Sequence, residues 1–458
     1  MTAREASPGV VVLGGGVAAL EAILALRALA GRAPAITLLA PEREFAPPAA
    51  SVATPFGFGL PATLSLDAFA ADHGVDLRRG LLAEVDAGRR LAIPVAADPV
   101  PYDHLLIAVG ARRRAAVRGA LTFRGPAETA SVEAVLEDVA EGRAGSLVVA
   151  VPSSAGWSLP AYELAIMAAV ALRSRGVADP DVAVVTPESR PLEIFGAAAG
   201  DAVAGLLEER GIALHTGCAP VALEDGALRM SDGHEVPAGR VIALPEPVGP
   251  FIPGLPHDGL GFLPTDAHGL VTGCTDVFAA GDATAFPLRQ GGLAAQQADA
   301  AAESIAARMG AIAHAHPFRP VLRGVLLTGG APLYLRTVVG DGAPPVARRL
   351  GAGPSSAVGR RALWWPPAKV AGRYLAPLMA TARPVALTSS PLQDLGSVGA
   401  AAGGEEDALA LALLLADEDA RCGDYRQALH ALDAARALTG GVLPDPYAAK
   451  QRDWLARA

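Results

Sequence analysis

The chain has 458 residues, 51% hydrophobic and 19% charged, and 38 basic against 47 acidic side chains give a formal charge of −9. At about 150 residues per domain this predicts roughly three units with ample core, which excludes a disordered, fibrous or disulfide-stapled protein. The acidic balance leaves no basic footprint for nucleic acid or anionic lipid. Cys218, Cys274 and Cys422 stand too far apart for a CxxC redox or zinc motif, and three is an odd number for a disulfide framework, so no metal site is expected and a reducing, cytoplasmic compartment is. No apolar leader precedes the first apolar run and no 18-residue uncharged apolar stretch follows, which predicts no transmembrane segment and at most peripheral membrane contact.

Gly9-Val10-Val11-Val12-Leu13 predicts a strand that breaks into Gly14-Gly15-Gly16, after which Val17, Ala18 and Ala19 open an Ala/Leu helix to about Leu29. In a strand–turn–helix unit Gly14 permits the tight turn and Gly16 lets a pyrophosphate approach the backbone. Ala19 stands where a small residue lets helix and strand pack closely. The helix N-terminus then faces the diphosphate. A second strand is expected at Ala35-Ile36-Thr37-Leu38-Leu39. Glu42, just beyond it, reads either as the acceptor of a ribose hydroxyl or as a solvated loop carboxylate.

Residues 146–240 repeat the plan, with strands at 146–151 and 182–186 flanking a helix from about Leu159 to Arg173. Further on, 275–280 predicts a buried strand ending at Gly281-Asp282-Ala283, and Gly291-Gly292-Leu293-Ala294 opens a helix to about Met309. A helix N-terminus of this kind stabilises a nearby negative charge by roughly 0.3–2 kcal/mol.

The Gly281-Asp282 segment resembles the FAD-closing motif of the pyridine nucleotide-disulfide oxidoreductase superfamily, and Tyr102 to Gly110 resembles the strand that returns to its FAD domain and ends in a glycine. The likeness covers about residues 9–320. Within the superfamily, Phe45-Ala46-Pro47-Pro48 and the stretch from Pro152 to Glu163 look most like the sulfide:quinone reductase and type II NADH dehydrogenase branch. The resemblance implies noncovalent FAD, with Asp282 on the ribitol chain, the amides of Leu293 and Ala294 at the flavin, Leu82 at the adenine and Pro48 beside the isoalloxazine.

The resemblance also implies NAD(P)H on the second module, but the turn Pro152-Ser153-Ser154-Ala155-Gly156-Trp157-Ser158-Leu159-Pro160 argues against it. It holds one glycine, two prolines without an amide hydrogen, and a bulky Trp. Glu188 is either a ribose acceptor favouring NADH or a surface carboxylate. The cysteine pair of disulfide reductases and the flanking cysteines of sulfide:quinone reductases are both missing, since no cysteine precedes position 218 and the turn carries Ser153 and Ser154. Cys274 reads as a small apolar packing residue.

Short strands after residue 320, at 325–328 and 333–339 with a turn at Gly340-Asp341-Gly342, suit the superfamily's third domain. In Trp364-Trp365-Pro366-Pro367-Ala368-Lys369 the aromatics either form a slot with Lys369 and Arg373 for a quinone or anionic aromatic, or bury against the flavin domain while the cations face water. Residues 419–429 resemble the joint of one tetratricopeptide repeat, too little for a solenoid.

The expected architecture is α/β, with two Rossmann-like modules, a small C-terminal α+β region and a helical tail. Its boundaries are 1–120 and 241–320 for the FAD domain, 121–240 for the NAD(P)-binding-like domain, 321–395 for the α+β region, 396–404 for a linker and 405–458 for a helical hairpin that packs on the flavin domain, pairs subunits or docks a partner. The expected activity is that of an FAD-dependent oxidoreductase moving two electrons between an unnamed donor and acceptor. NADH:quinone oxidoreductase activity and a flavin-bearing interaction or redox-sensing protein are the alternatives, and no catalytic residue is nominated.

Overall fold

The computed structural model describes residues 9–58, 62–339, 356–370, 372–381, isolated positions between 409 and 420, 425–439 and 441–457. The turn at 340–342, the linker at 396–404, Cys422 and most of 405–424 fall outside the described residues.

Two five-stranded parallel sheets carry the fold. The first runs Val277–Ala279, His104–Ile107, Gly9–Leu13, Ala35–Leu39, Val75–Arg78. Its central strand Gly9–Leu13 is a continuous apolar run because helices or loops cover both faces: Val10, Val11, Val12 and Leu13 are all buried. The helix Val17–Ala30 packs on Gly291–Arg308, with Ala18, Ala19, Ala22 and Ala25 meeting Ala294, Ala298, Ala301 and Ala302 in one core. Side chains this small let the two helices lie close together under the sheet.

The second sheet runs Leu121–Thr122, Arg240–Ala243, Leu147–Ala150, Val182–Val185, Ile212–His215. Arg240–Ala243 lies inside this sheet, so the chain leaves it just after residue 243 rather than at 240. A two-stranded antiparallel link, Arg112–Arg114 with Glu246–Val248, carries it out and back. A third sheet is antiparallel, Val321–Leu326, Leu333–Val338, Ala357–Gly359, and starts earlier and holds one strand more than expected.

The two tryptophans part company. Trp364 is buried beside Tyr334, ring centroids 5.4 Å apart, and its indole N–H donates to the Ala368 carbonyl at 3.1 Å. Trp365 packs instead on the tail, whose helices Tyr425–Leu438 and Tyr447–Arg457 close a separate core of Ala428, Leu432, Ala435 and Trp454.

One buried charge ties the C-terminal segment to the first sheet. Glu21, in the middle of the Val17–Ala30 helix, is wholly buried and accepts the backbone N–H groups of Tyr374 at 2.7 Å and Leu375 at 2.8 Å, at the start of the short helix Leu375–Thr381. Burial pushes its carboxyl up to about 7, partly offset by those amides and by Arg373. The folded protein therefore binds this proton more tightly than the unfolded chain does, and the contribution to stability is greatest below pH 4.5 and declines as pH rises through 7. Melting curves from pH 5 to 8 should fall with pH, and Glu21→Gln should flatten that slope, the removed difference reaching up to about 3 kcal/mol. Parallel slopes for the two proteins would show that another group titrates.

Candidate functional site

A cavity of about 540 Å³ opens at the carboxyl ends of the first sheet's strands, where parallel α/β sheets place their ligands. Its near wall is the Gly14–Ala18 turn together with Ala108–Gly110. Gly281, Asp282, Gly291 and Ala294 form a second wall, and Glu42, Leu81 and Leu82 line one end. The Leu159–Ser174 helix supplies Leu159, Pro160 and Glu163 from the second module, and the third sheet and its sequel supply Gly324, Val325, Lys369 and Val370.

The glycines are where the backbone demands them. Gly14 has φ +103°, and a Cβ there would sit 2.4 Å from the Ala108 carbonyl oxygen. Gly281, at φ +75°, would place one 3.2 Å from the Ala18 Cβ and 3.3 Å from that of Ala294. Gly16 and Gly110 differ: a Cβ on either would meet nothing within 4 Å. The two turns touch each other, and space is left open above the first.

Of the residues expected at a cofactor, Gly14, Gly16, Val17, Ala18, Glu42, Pro48, Leu82, Gly110, Gly281, Asp282 and Ala294 all line this one cavity. Glu42 is exposed at its rim. Ala19 and Leu293 do not line it; both are buried in the packing behind it. The expectation that the amides of Leu293 and Ala294 face a flavin is corrected. Leu293 N–H donates to Gln290 Oε1 at 2.8 Å and Ala294 N–H to the Gln290 carbonyl at 2.9 Å, because Gln290 caps the helix that Gly291 starts.

Asp282 is half-buried in the cavity wall, and its carboxyl is raised by burial, with Arg289 and Arg113 acting against the rise. Arg289 lies over the Phe262 ring, 3.9 Å from its centroid, and donates to the Thr284 carbonyl at 2.7 Å. Neither arginine stands out in the sequence, since nothing local marks them.

The feature least visible in the sequence is an ion pair at the far end. Lys369 Nζ donates to Glu163 Oε1 and, at 3.1 Å, to the Val325 carbonyl; Glu163 Oε1 also accepts the Leu327 N–H at 2.8 Å. Glu163 is fully buried and its Oε2 has no hydrogen-bond partner among the described residues. Burial pushes Glu163 up and Lys369 down, against their mutual attraction, so a proton shared between them is held less firmly on nitrogen than in water. The reading in which Lys369 faces water is thus corrected, and neither Trp364 nor Trp365 lines the cavity.

Glu188 is not the surface carboxylate that its loop position suggests. Three side-chain hydroxyls hold it, and burial raises its pKa despite them. Ser153 and Ser154 lie in a separate depression of about 420 Å³, and Cys274 packs half-buried against the core below the first sheet. No cluster of metal-ligating side chains occurs among the described residues, and no helix among them is long and apolar enough to cross a membrane.

A family model described as pyridine nucleotide-disulphide oxidoreductase matches residues 8–304. The structure is similar to the sulfide:quinone oxidoreductase of the hyperthermophilic bacterium Aquifex aeolicus, with a TM-score of 0.67 and 19% identity over 77% of this chain and 87% of that one. It is also similar to a ferredoxin reductase of Rhodopseudomonas palustris, with a TM-score of 0.56 and 20% identity over 72% and 83%. NDH2 of Plasmodium falciparum, solved in complex with NADH, follows at 0.51 and 14% over 61% and 64%. At such identities these likenesses concern the fold, whereas the family match spans both parallel sheets and the two glycine turns that meet at the cavity. The chain belongs to the pyridine nucleotide-disulphide oxidoreductase family and is a flavin-dependent oxidoreductase.

Proposed function

We propose that the cavity binds FAD noncovalently and that the protein passes two electrons through it between a small-molecule donor and a quinone-like acceptor. The observation that carries this reading is that the Gly14–Ala18 and Gly281–Asp282 turns, remote in sequence, line one continuous cavity. The residues fit the group. The open space above Gly16 and Gly110, beside a helix N-terminus, would take a diphosphate, and the half-buried Asp282 would accept ribitol hydroxyls. Glu42 and Leu82 would hold the adenosine end, and Pro48, Gly281 and Ala294 would border the ring system.

Bound FAD supplies the two-electron chemistry. The chain's own part is binding, orientation and proton supply. Lys369 holds a proton at Nζ beside Val325 and Val370, on the apolar third-sheet side of the cavity, and Glu163 sits behind it as the alternative holder. An acceptor that gains electrons in an apolar slot must also gain protons, and this pair is the titratable group buried there.

Asp282→Ala should yield protein that is folded and pale, its FAD lost on gel filtration and regained only at high added FAD. Full retention of FAD would defeat the role assigned to Asp282.

Lys369→Met should slow anaerobic reoxidation of reduced protein by a soluble quinone at least tenfold, and by stranding Glu163 should lower stability by about 3–5 kcal/mol. The double variant Glu163→Gln with Lys369→Met should recover most of that stability in denaturant unfolding without recovering the rate. Recovery of both would reduce the pair to a structural role.

A further inference from the structure

The second sheet ends in a carboxylate where a dinucleotide fold uses one, and the chain itself already engages it. Glu188 follows Val182–Val185, the strand parallel to Leu147–Ala150 in the second βαβ unit. An acid at that place accepts the ribose hydroxyls of a bound dinucleotide. Here Ser158 Oγ donates to Glu188 Oε1 at 2.9 Å, Tyr162 OH to Oε2 at 2.6 Å and Thr186 Oγ1 to Oε2 at 3.1 Å.

Two of these donors come from the element that would otherwise serve the ligand. Ser158 immediately precedes the Leu159–Ser174 helix and Tyr162, fully buried, stands in its first turn. The turn whose amides would meet a diphosphate is thereby tied down onto the carboxylate. Pro152 and Pro160 remove two amide donors from it, and Trp157 is fixed edge-on to Phe195, centroids 5.9 Å apart. Glu42, its counterpart in the first sheet, is exposed at the cavity rim.

The geometry points to a nucleotide seat filled by the chain's own hydroxyls: Ser158, Tyr162 and Thr186 stand in for a ribose on Glu188, so the protein excludes NADH and NADPH as electron donors. This donor exclusion rests on the flavin reading above; the filled seat does not. Oε2 already accepts two hydroxyls and Oε1 one, so a ribose diol that needs both oxygens would have to displace at least one bond of 2.6–3.1 Å.

The test uses full-length protein loaded with FAD, under anaerobic conditions. Dithionite should bleach the flavin band, whereas NADH and NADPH should leave it unchanged, and calorimetry with NADH and NAD⁺ should show no saturable binding. Ser158→Gly with Tyr162→Phe releases two of the three donors. It should raise NADH affinity about tenfold or more with the visible spectrum unaltered, and adding Glu188→Gln should abolish the gain. Tyr162→Phe alone, which keeps the ring in place, serves if the double variant does not fold. Micromolar NADH binding by the wild type overturns the proposal, as does a folded, opened variant with no gain. A colourless protein that takes up no FAD defeats the flavin reading separately, and calorimetry still decides the seat.

Discussion

There is no room for a methyl group where the first turn passes beneath the Ala108 carbonyl, and where the second wedges between Ala18 and Ala294 a methyl would be crowded on a backbone of φ +75°. That steric limit is the constraint on which the architecture rests. Because Gly14 and Gly281 carry no side chain, two helices and two strand ends converge tightly enough to leave one cavity instead of two shallow clefts. The alanine-rich faces of Val17–Ala30 and Gly291–Arg308 serve the same end, since their short side chains let the helices that carry the two turns lie against each other. An abundance of alanine that looks like background composition has a packing consequence here.

Two buried glutamates and a half-buried one organise what the apolar core does not. Glu21 holds the backbone at Tyr374 and Leu375, Glu163 holds Lys369 and the Leu327 amide, and Glu188 gathers three hydroxyls. Each joins segments distant in the chain or from different elements, and each is costly to bury unless its oxygens are bound. The first two bind the C-terminal segment 369–375 to both Rossmann-like modules, so the wall carrying Lys369 and Val370 is held by polar contacts as well as by packing. The third ties the start of the Leu159–Ser174 helix to the end of the Val182–Val185 strand.

The nucleotide-binding plan was legible because its signals are local: a β-branched strand, a glycine turn and a helix lie within about twenty residues, and the physics of close backbone approach admits few residue types there. The strand at 277–279 and its Gly281-Asp282 turn were legible for the same reason. The amides of Leu293 and Ala294 were misread because the capping habit of Gln290 depends on a side-chain rotamer that the glycine pair after it conceals. The exit from the second sheet lay three residues beyond the expected boundary, since Arg240–Ala243 pairs with a strand almost a hundred positions earlier.

The amino-acid sequence alone determined the α/β class, the two glycine turns and the lack of paired redox cysteines, all properties of residue type and short spacing. Only the tertiary structure decided that Lys369 meets Glu163 and that Glu188 turns inward to Ser158, Tyr162 and Thr186. A lone charge in an apolar helix or a loop carries no mark of its partner. Whether it is solvated, paired or satisfied by hydroxyls depends on what the fold brings within hydrogen-bonding distance, and that is set by packing across the whole chain.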